Sequence, residues 1–246
     1  MAAELTNVGS TRNSFSVQVL DSTNVDVTDN FDIDVTYGTL TVSPIRLSLY
    51  TKDHLKIYDG TPLSAYGLYN VETNDLVEAQ EIIPGHSFVY RMLNERTDVG
   101  STKNDVSYDI INNSGVDVTH NFDIDISYGT LTVTERPFGI ITKNITKTYD
   151  GSPLTNDGTY TVVQGNTLAD NHTLSIEFTG SQTNVGSSSN SIAWRIFDAE
   201  GNDVTYNYDS SSSMTGTLTV SPRNISLFSE SASKSYDGTP LTKPGV

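Results

Sequence analysis

The sequence predicts an all-β protein built from tandem immunoglobulin-like β-sandwich repeats, and three observations predict it. Three short motifs each recur three times with one shared period of about ninety residues. Apolar and polar residues alternate with period two through the segments between those motifs. Asp, Asn, Gly and Pro punctuate that alternation at short intervals, as strand-and-turn chains require. A β-grasp repeat is the alternative fold. It needs a helix of about ten or more residues, and no stretch carries that periodicity.

The motifs set the frame. Gly-Thr-Leu-Thr-Val occurs at Gly38–Val42, Gly129–Val133 and Gly216–Val220, so its copies lie 91 and 87 residues apart. Tyr-Asp-Gly sits at Tyr58–Gly60, Tyr149–Gly151 and Tyr236–Gly238, with the same two offsets. Val-Gly-Ser falls at Val8–Ser10, Val99–Ser101 and Val185–Ser187, with offsets of 91 and 86. Three independent markers with one period indicate tandem domains. The 246 residues then divide into the C-terminal half of a repeat at 1–44, complete repeats at 45–136 and 137–222, and the start of a further repeat at 223–246. Pro44, Pro137 and Pro222 mark the boundaries, because proline cannot donate to a central ladder. Linkers of almost no length predict stiff stacking of the repeats. The half repeats at both ends make the chain read as an excerpt of a longer array.

Each element follows from its pattern. After Val-Gly-Ser, the sets Phe15, Val17, Val19, then Val106, Tyr108, Ile110, then Ile192, Trp194, Ile196 alternate with polar residues. They predict a strand with one face in a core, and they place Trp194 there. Asp21–Asn24, Asn112–Gly115 and Asp198–Gly201 follow as hairpin turns. Phe31, Ile33, Val35 and Tyr37 then alternate with Asp32, Asp34 and Thr36, which sends the aspartates outward. Asp117–Tyr128 repeats that segment closely and Asp203–Asp209 more loosely. The early half of a repeat opens with Ile45–Tyr50 or Phe138–Ile141 and reaches a turn at Asp59-Gly60, Asp150-Gly151 or Asp237-Gly238. Ser87–Leu93 and Thr173–Phe178 add later strands, giving six or seven per repeat.

Composition narrows the function classes. With 30 acidic and 14 basic residues the formal charge is −16, which repels nucleic acid and anionic membranes. No apolar run is long enough for a membrane span, so no membrane insertion is expected. The absence of cysteine excludes disulfides, Cys-based metal sites and Cys nucleophiles. Met1–Ser10 has no signal-peptide pattern. Of His54, His86, His120 and His172, only His86 and His172 occupy similar places, each just before a strand. No nucleophile elbow, phosphate loop or zinc spacing accompanies them, so no catalytic residues and no enzymatic activity are expected.

Two further chemistries are weighed on the residues. Asp26, Asp29, Asn30, Asp32 and Asp34 crowd one stretch, and Asp117, Asn121, Asp123 and Asp125 repeat it, as hard ligands for Ca2+ would. Alternation also explains them as a solvated strand face, so the metal assignment is unknown and no cofactor is otherwise expected. Lys56, Lys147 and Lys234, with Asn121 and Asn207, are the candidate partners of an internal isopeptide bond, against the plain reading of turn and cap residues.

The order Lys-x-Tyr-Asp-Gly-Thr/Ser-Pro-Leu, then Val-Gly, Asp-Val-Thr-x-Asn-aromatic and Gly-Thr-Leu-Thr-Val runs through the whole chain. In that order the sequence resembles the bacterial surface tandem repeats of the Tyr-Asp-Gly (YDG) family. The resemblance implies an extracellular, wall-associated protein of Gram-positive bacteria in which such repeats form the stalk of a cell-surface adhesin. The expected function is therefore a structural spacer whose partners are neighbouring repeats of the same chain. Direct adhesion to a host glycan or matrix protein is the alternative. Tyr50, Tyr66 and Tyr69, with an echo at Tyr160, are the aromatic residues it would draw on.

Overall fold

The computed structural model describes residues 3–77 and 82–243. The chain forms two compact units, Met1–Thr134 and Glu135–Val246. The all-β expectation holds. Strands alternate with turns throughout, and the only helical elements among the described residues are short 3-10 turns, including Thr28–Asn30, Thr119–Asn121 and Thr205–Asn207. No helix among them is long and apolar enough to cross a membrane.

In the first unit, residues 45–134 pair their first strands with their last. Ile45–Tyr50 runs parallel to Phe122–Ser127 and antiparallel to Tyr69–Asn70. His54–Ile57 runs parallel to Thr130–Thr134, whose other edge pairs antiparallel with Gly100–Lys103. His86–Met92 and Val106–Asn112 form a seven-residue antiparallel pair. The inward positions of these strands meet Leu68, Val77 and Val118 of the connecting segments in one core with Leu49, Phe88, Val106, Ile110 and Phe122. Full burial of such side chains contributes roughly 1.5–3 kcal/mol each. The predicted alternation is realised in Phe122–Ser127, where Phe122 is buried and Asp123 and Asp125 are exposed.

The second unit repeats the plan. Ile145–Thr148 runs parallel to Thr217–Ser221, which pairs antiparallel with Gly186–Ser189. Thr173–Phe178 pairs antiparallel with Ile192–Phe197. Trp194 is half-buried and sets its ring edge-on to Phe138 at 5.7 Å, on the core side as expected. The strand equivalent to Phe122–Ser127 shrinks to Tyr208–Asp209, paired in parallel with Arg136–Pro137. The serine-rich sequence after it lacks the alternation, and pairing resumes at an isolated parallel bridge of Met214 with Ile141.

Two differences from the sequence expectation have physical causes. The strand count is higher, eight among the described residues of 45–134, because two-residue pairings such as Tyr69–Asn70 arise from chain approach rather than from periodicity. Residues 14–20, expected as a strand, form only an isolated bridge at Leu20, and Phe15 and Val17 are exposed. Their equivalents Val106–Asn112 and Ile192–Phe197 each have an antiparallel partner, which no described segment offers to residues 14–20. Gly9–Asn13 and Gly38–Val42 of the same half repeat do pair. Residues 223–243 form no strand and are exposed.

Candidate functional site

Three polar constellations recur with the sequence period, and they are where the candidate residues go. The first closes the Tyr-Asp-Gly turn. Asp59 Oδ1 accepts the Thr61 N–H and hydroxyl, and Lys56 Nζ donates to Asp59 Oδ1 at 2.7 Å and to the Thr61 carbonyl and hydroxyl. Lys147 does the same with Asp150 and Ser152, and Lys234 donates to Asp237, the Thr239 hydroxyl and the Pro240 carbonyl. Gly60, Gly151 and Gly238 supply φ values of +81°, +85° and +77°, which non-glycine residues rarely adopt. Burial pushes the Asp59 carboxyl up, but the Lys56 ammonium and the Thr61 donors outweigh it and hold the group at about 2. The Lys147 bond and the Ser152 donors likewise lower Asp150.

The second constellation follows the segment after Val-Gly-Ser, a strand in both complete repeats. Asp117 Oδ1 accepts the Thr119 N–H and hydroxyl, and Thr119 Oγ1 in turn accepts the Ile110 N–H at 2.8 Å. Asp26–Thr28–Val19 and Asp203–Thr205–Ile196 repeat this relay. Each carboxyl is held below the usual carboxylate range, first by the threonine hydroxyl and then by its backbone N–H. An Asp-x-Thr motif thus ties the 3-10 turn to the segment before it, as short polar side chains do at turns.

The third is buried and escapes the sequence reading. Asn104 and Asn190 are 1% and 0% exposed. Asn104 Nδ2 donates to the Lys52 carbonyl, its N–H to the Gly129 carbonyl, and its own carbonyl accepts the Thr51 hydroxyl. Thr51 Oγ1 then accepts the Gly129 N–H. Asn190, Lys143, Gly216 and Thr142 repeat every one of these bonds. A Cβ on Gly129 or Gly216 would lie 2.3 or 2.4 Å from the backbone of Lys52 or Lys143, so in the complete repeats the glycine of Gly-Thr-Leu-Thr-Val is a matter of space. The signal was present in the sequence. Asn13, Asn104 and Asn190 each stand five residues after the valine of Val-Gly-Ser.

The candidate residues take these places in the scaffold. Asp26 and Asp117 serve their own turns, Asp123 pairs with Arg46 at 3.0 Å, and among the described residues no three His, Cys, Asp or Glu side chains gather as a metal site. The isopeptide candidates keep different company. Lys56 bonds within its turn, whereas Asn121 uses its amide across the repeat boundary, donating to Asn7 Oδ1 at 3.0 Å and accepting the Val8 N–H at 2.7 Å. Asn207 is fully buried. His86 and His172 both lie beside the aromatic residue of the late strand, at 6.4 Å from Phe122 and 6.1 Å from Tyr208. Tyr69 stacks on Tyr50 beneath Lys52, while its echo Tyr160 tilts on Phe178. Beside the Asn121 contact opens a cavity of about 360 Å³ with Val8, Val42, Ile45 and Phe122 in its walls.

Comparison with protein-family models, with curated proteins and with solved structures finds no match to this chain.

Proposed function

We propose that the chain is a structural spacer: immunoglobulin-like repeats stacked end to end, of the kind that forms the stalk of a bacterial surface adhesin and holds a binding region away from the cell wall. The reading takes the paired terminal strands and the enclosed core of residues 45–134 as one sandwich per repeat. The observation that carries it is the Asn121 amide, which spends both its donor and its acceptor on Asn7 and Val8 of the preceding half repeat. A side chain with both ends committed fixes one repeat against the next, and a spacer requires that. The residues that recur between copies are those that close turns and bind strands together, and no catalytic role is assigned to any of them.

Small-angle scattering tests the proposal. A spacer gives a rod-like profile, and a compact or freely jointed particle overturns it. Asn121→Ala should speed hydrogen exchange at the Val8 amide by roughly tenfold, the equivalent of one lost bond of about 1.4 kcal/mol, with the core of residues 45–134 unaffected. Direct adhesion is favoured by one observation, the cavity beside this contact, where His86 and Asn112 add polar atoms to the apolar wall. Glycan and matrix-protein arrays probed with the chain decide that alternative, and uniform negatives remove it.

A further inference from the structure

The direction of the strand pairing has a mechanical meaning. A chain under tension pulls the first strand of each repeat toward its N-terminus and the last strand toward its C-terminus. Where two such strands are antiparallel neighbours joined as a hairpin, tension opens their hydrogen bonds one at a time. Where they are parallel neighbours, the same tension slides one along the other and loads all their bonds together.

Residues 45–134 have the second arrangement along nearly the full length of both terminal segments. Ile45–Tyr50 faces Phe122–Ser127 in six parallel register pairs. The Thr51 N–H continues the pairing to the Ser127 carbonyl, and the Thr51 hydroxyl joins Asn104 to Gly129 at the point where both segments change sheet. His54–Ile57 then faces Leu131–Thr134 in four more parallel pairs, and the Tyr58 N–H closes the run on the Thr134 carbonyl. Immediately beyond lies the turn locked by Lys56 and Asp59. The second repeat has the same lower run, Ile145–Thr148 against Leu218–Ser221, closed by the Tyr149 N–H on the Ser221 carbonyl. Its upper run is shorter: the two pairs of Arg136–Pro137 with Tyr208–Asp209, one of those four residues a proline, are extended by the Phe138 N–H to the Asp209 carbonyl, and beyond them lies one isolated parallel bridge, Ile141 with Met214.

We propose that each complete repeat is a tension-bearing module whose two terminal segments form a parallel shear clamp, the clamp of residues 45–134 being the stronger. The clamp rests on the spacer reading for its use, but not for its test. Scattering reports whether the repeats stack, whereas force spectroscopy reports how one repeat yields, and either result can fail alone.

The chain has no cysteine, so thiol handles can be placed at chosen sites. Pulling the full chain through handles at its two ends loads both clamps in shear. Pulling through Arg46→Cys and Asp123→Cys, which are exposed register partners, peels the first clamp pair by pair instead. The exposed ion pair removed contributes little to stability, so the variant is expected to fold. Ser48→Cys with Asp125→Cys is the second peeling pair should the first disturb the structure. Forced unfolding follows the unfolding barrier rather than the equilibrium stability. The expected result is a several-fold lower yield force in the peeling geometry than in the end-to-end geometry. End-to-end traces should also show two events of different force, with Lys56→Met lowering the higher one and Lys147→Met the lower. Equal forces in the two geometries, or end-to-end opening at the peeling force, overturns the clamp.

Discussion

At the scale of the residue, the two complete repeats differ at one buried position in a way that can be measured. Asn190 Oδ1 accepts the Asn156 amide at 3.0 Å, but Asn104 Oδ1 is buried without a hydrogen-bond partner, because Ala65 stands where the second repeat has Asn156. A buried acceptor left unmade costs about 1–3 kcal/mol. Asn156→Ala should therefore destabilise the second unit by about 2 kcal/mol, and Ala65→Asn should stabilise the first by about 1 kcal/mol, both read from urea denaturation. The turn carboxylates make a second prediction. Asp59, Asp117 and Asp203 lie below the usual value of 3.8 in the folded chain, Asp59 at about 2. A group depressed by folding contributes stability that is complete above its unfolded pKa and is lost as pH falls through the folded one. Melting temperature should hold from pH 7 to about 5 and fall between about 4 and 2. Asp117→Asn, which keeps an acceptor oxygen, should flatten that fall, and an unchanged acid limb would refute the assignment.

At the scale of the element, the same motif glycine has different surroundings in different copies. Gly129 and Gly216 face backbone at 2.3 and 2.4 Å, whereas Gly38 has nothing within 4 Å. Gly129→Ala and Gly216→Ala should each cost about 1–3 kcal/mol by overpacking. Gly38→Ala should change stability by no more than about 0.5 kcal/mol, since it meets no neighbour. Chemical denaturation of the three variants checks the contrast, and equal effects would refute it. The late strand makes the same point about legibility. The alternation of Phe122, Ile124 and Ile126 against Asp123 and Asp125 was readable because each side chain obeys a local period of two. The failure of residues 14–20 to form a strand was not readable, because a strand is completed by a partner and not by its own alternation.

At the scale of the whole molecule, the formal charge of −16 puts self-repulsion into the folded state, so added salt should raise the melting temperature by screening. Because the carboxylates are dispersed among turns and an ion pair, Ca2+ should raise it no more than Mg2+ at equal ionic strength. A saturable rise specific to Ca2+ in a thermal melt would refute that dispersal. By itself, the sequence determined what local chemistry controls: the repeat period, the all-β class, the inward faces of the strands and the Asp-Gly turns. A turn motif such as Lys234–Thr239 closes even where residues 223–243 form no strand, since its partners lie within five residues. The tertiary structure alone decided what depends on contacts distant in sequence. It set the parallel pairing of first strands with last, buried Asn104 and Asn190 where the segments change sheet, and turned the Asn121 amide to the neighbouring half repeat. The side-chain bonds among them join residues 47 to 114 positions apart, and no local periodicity encodes which distant edge a strand or an amide will meet.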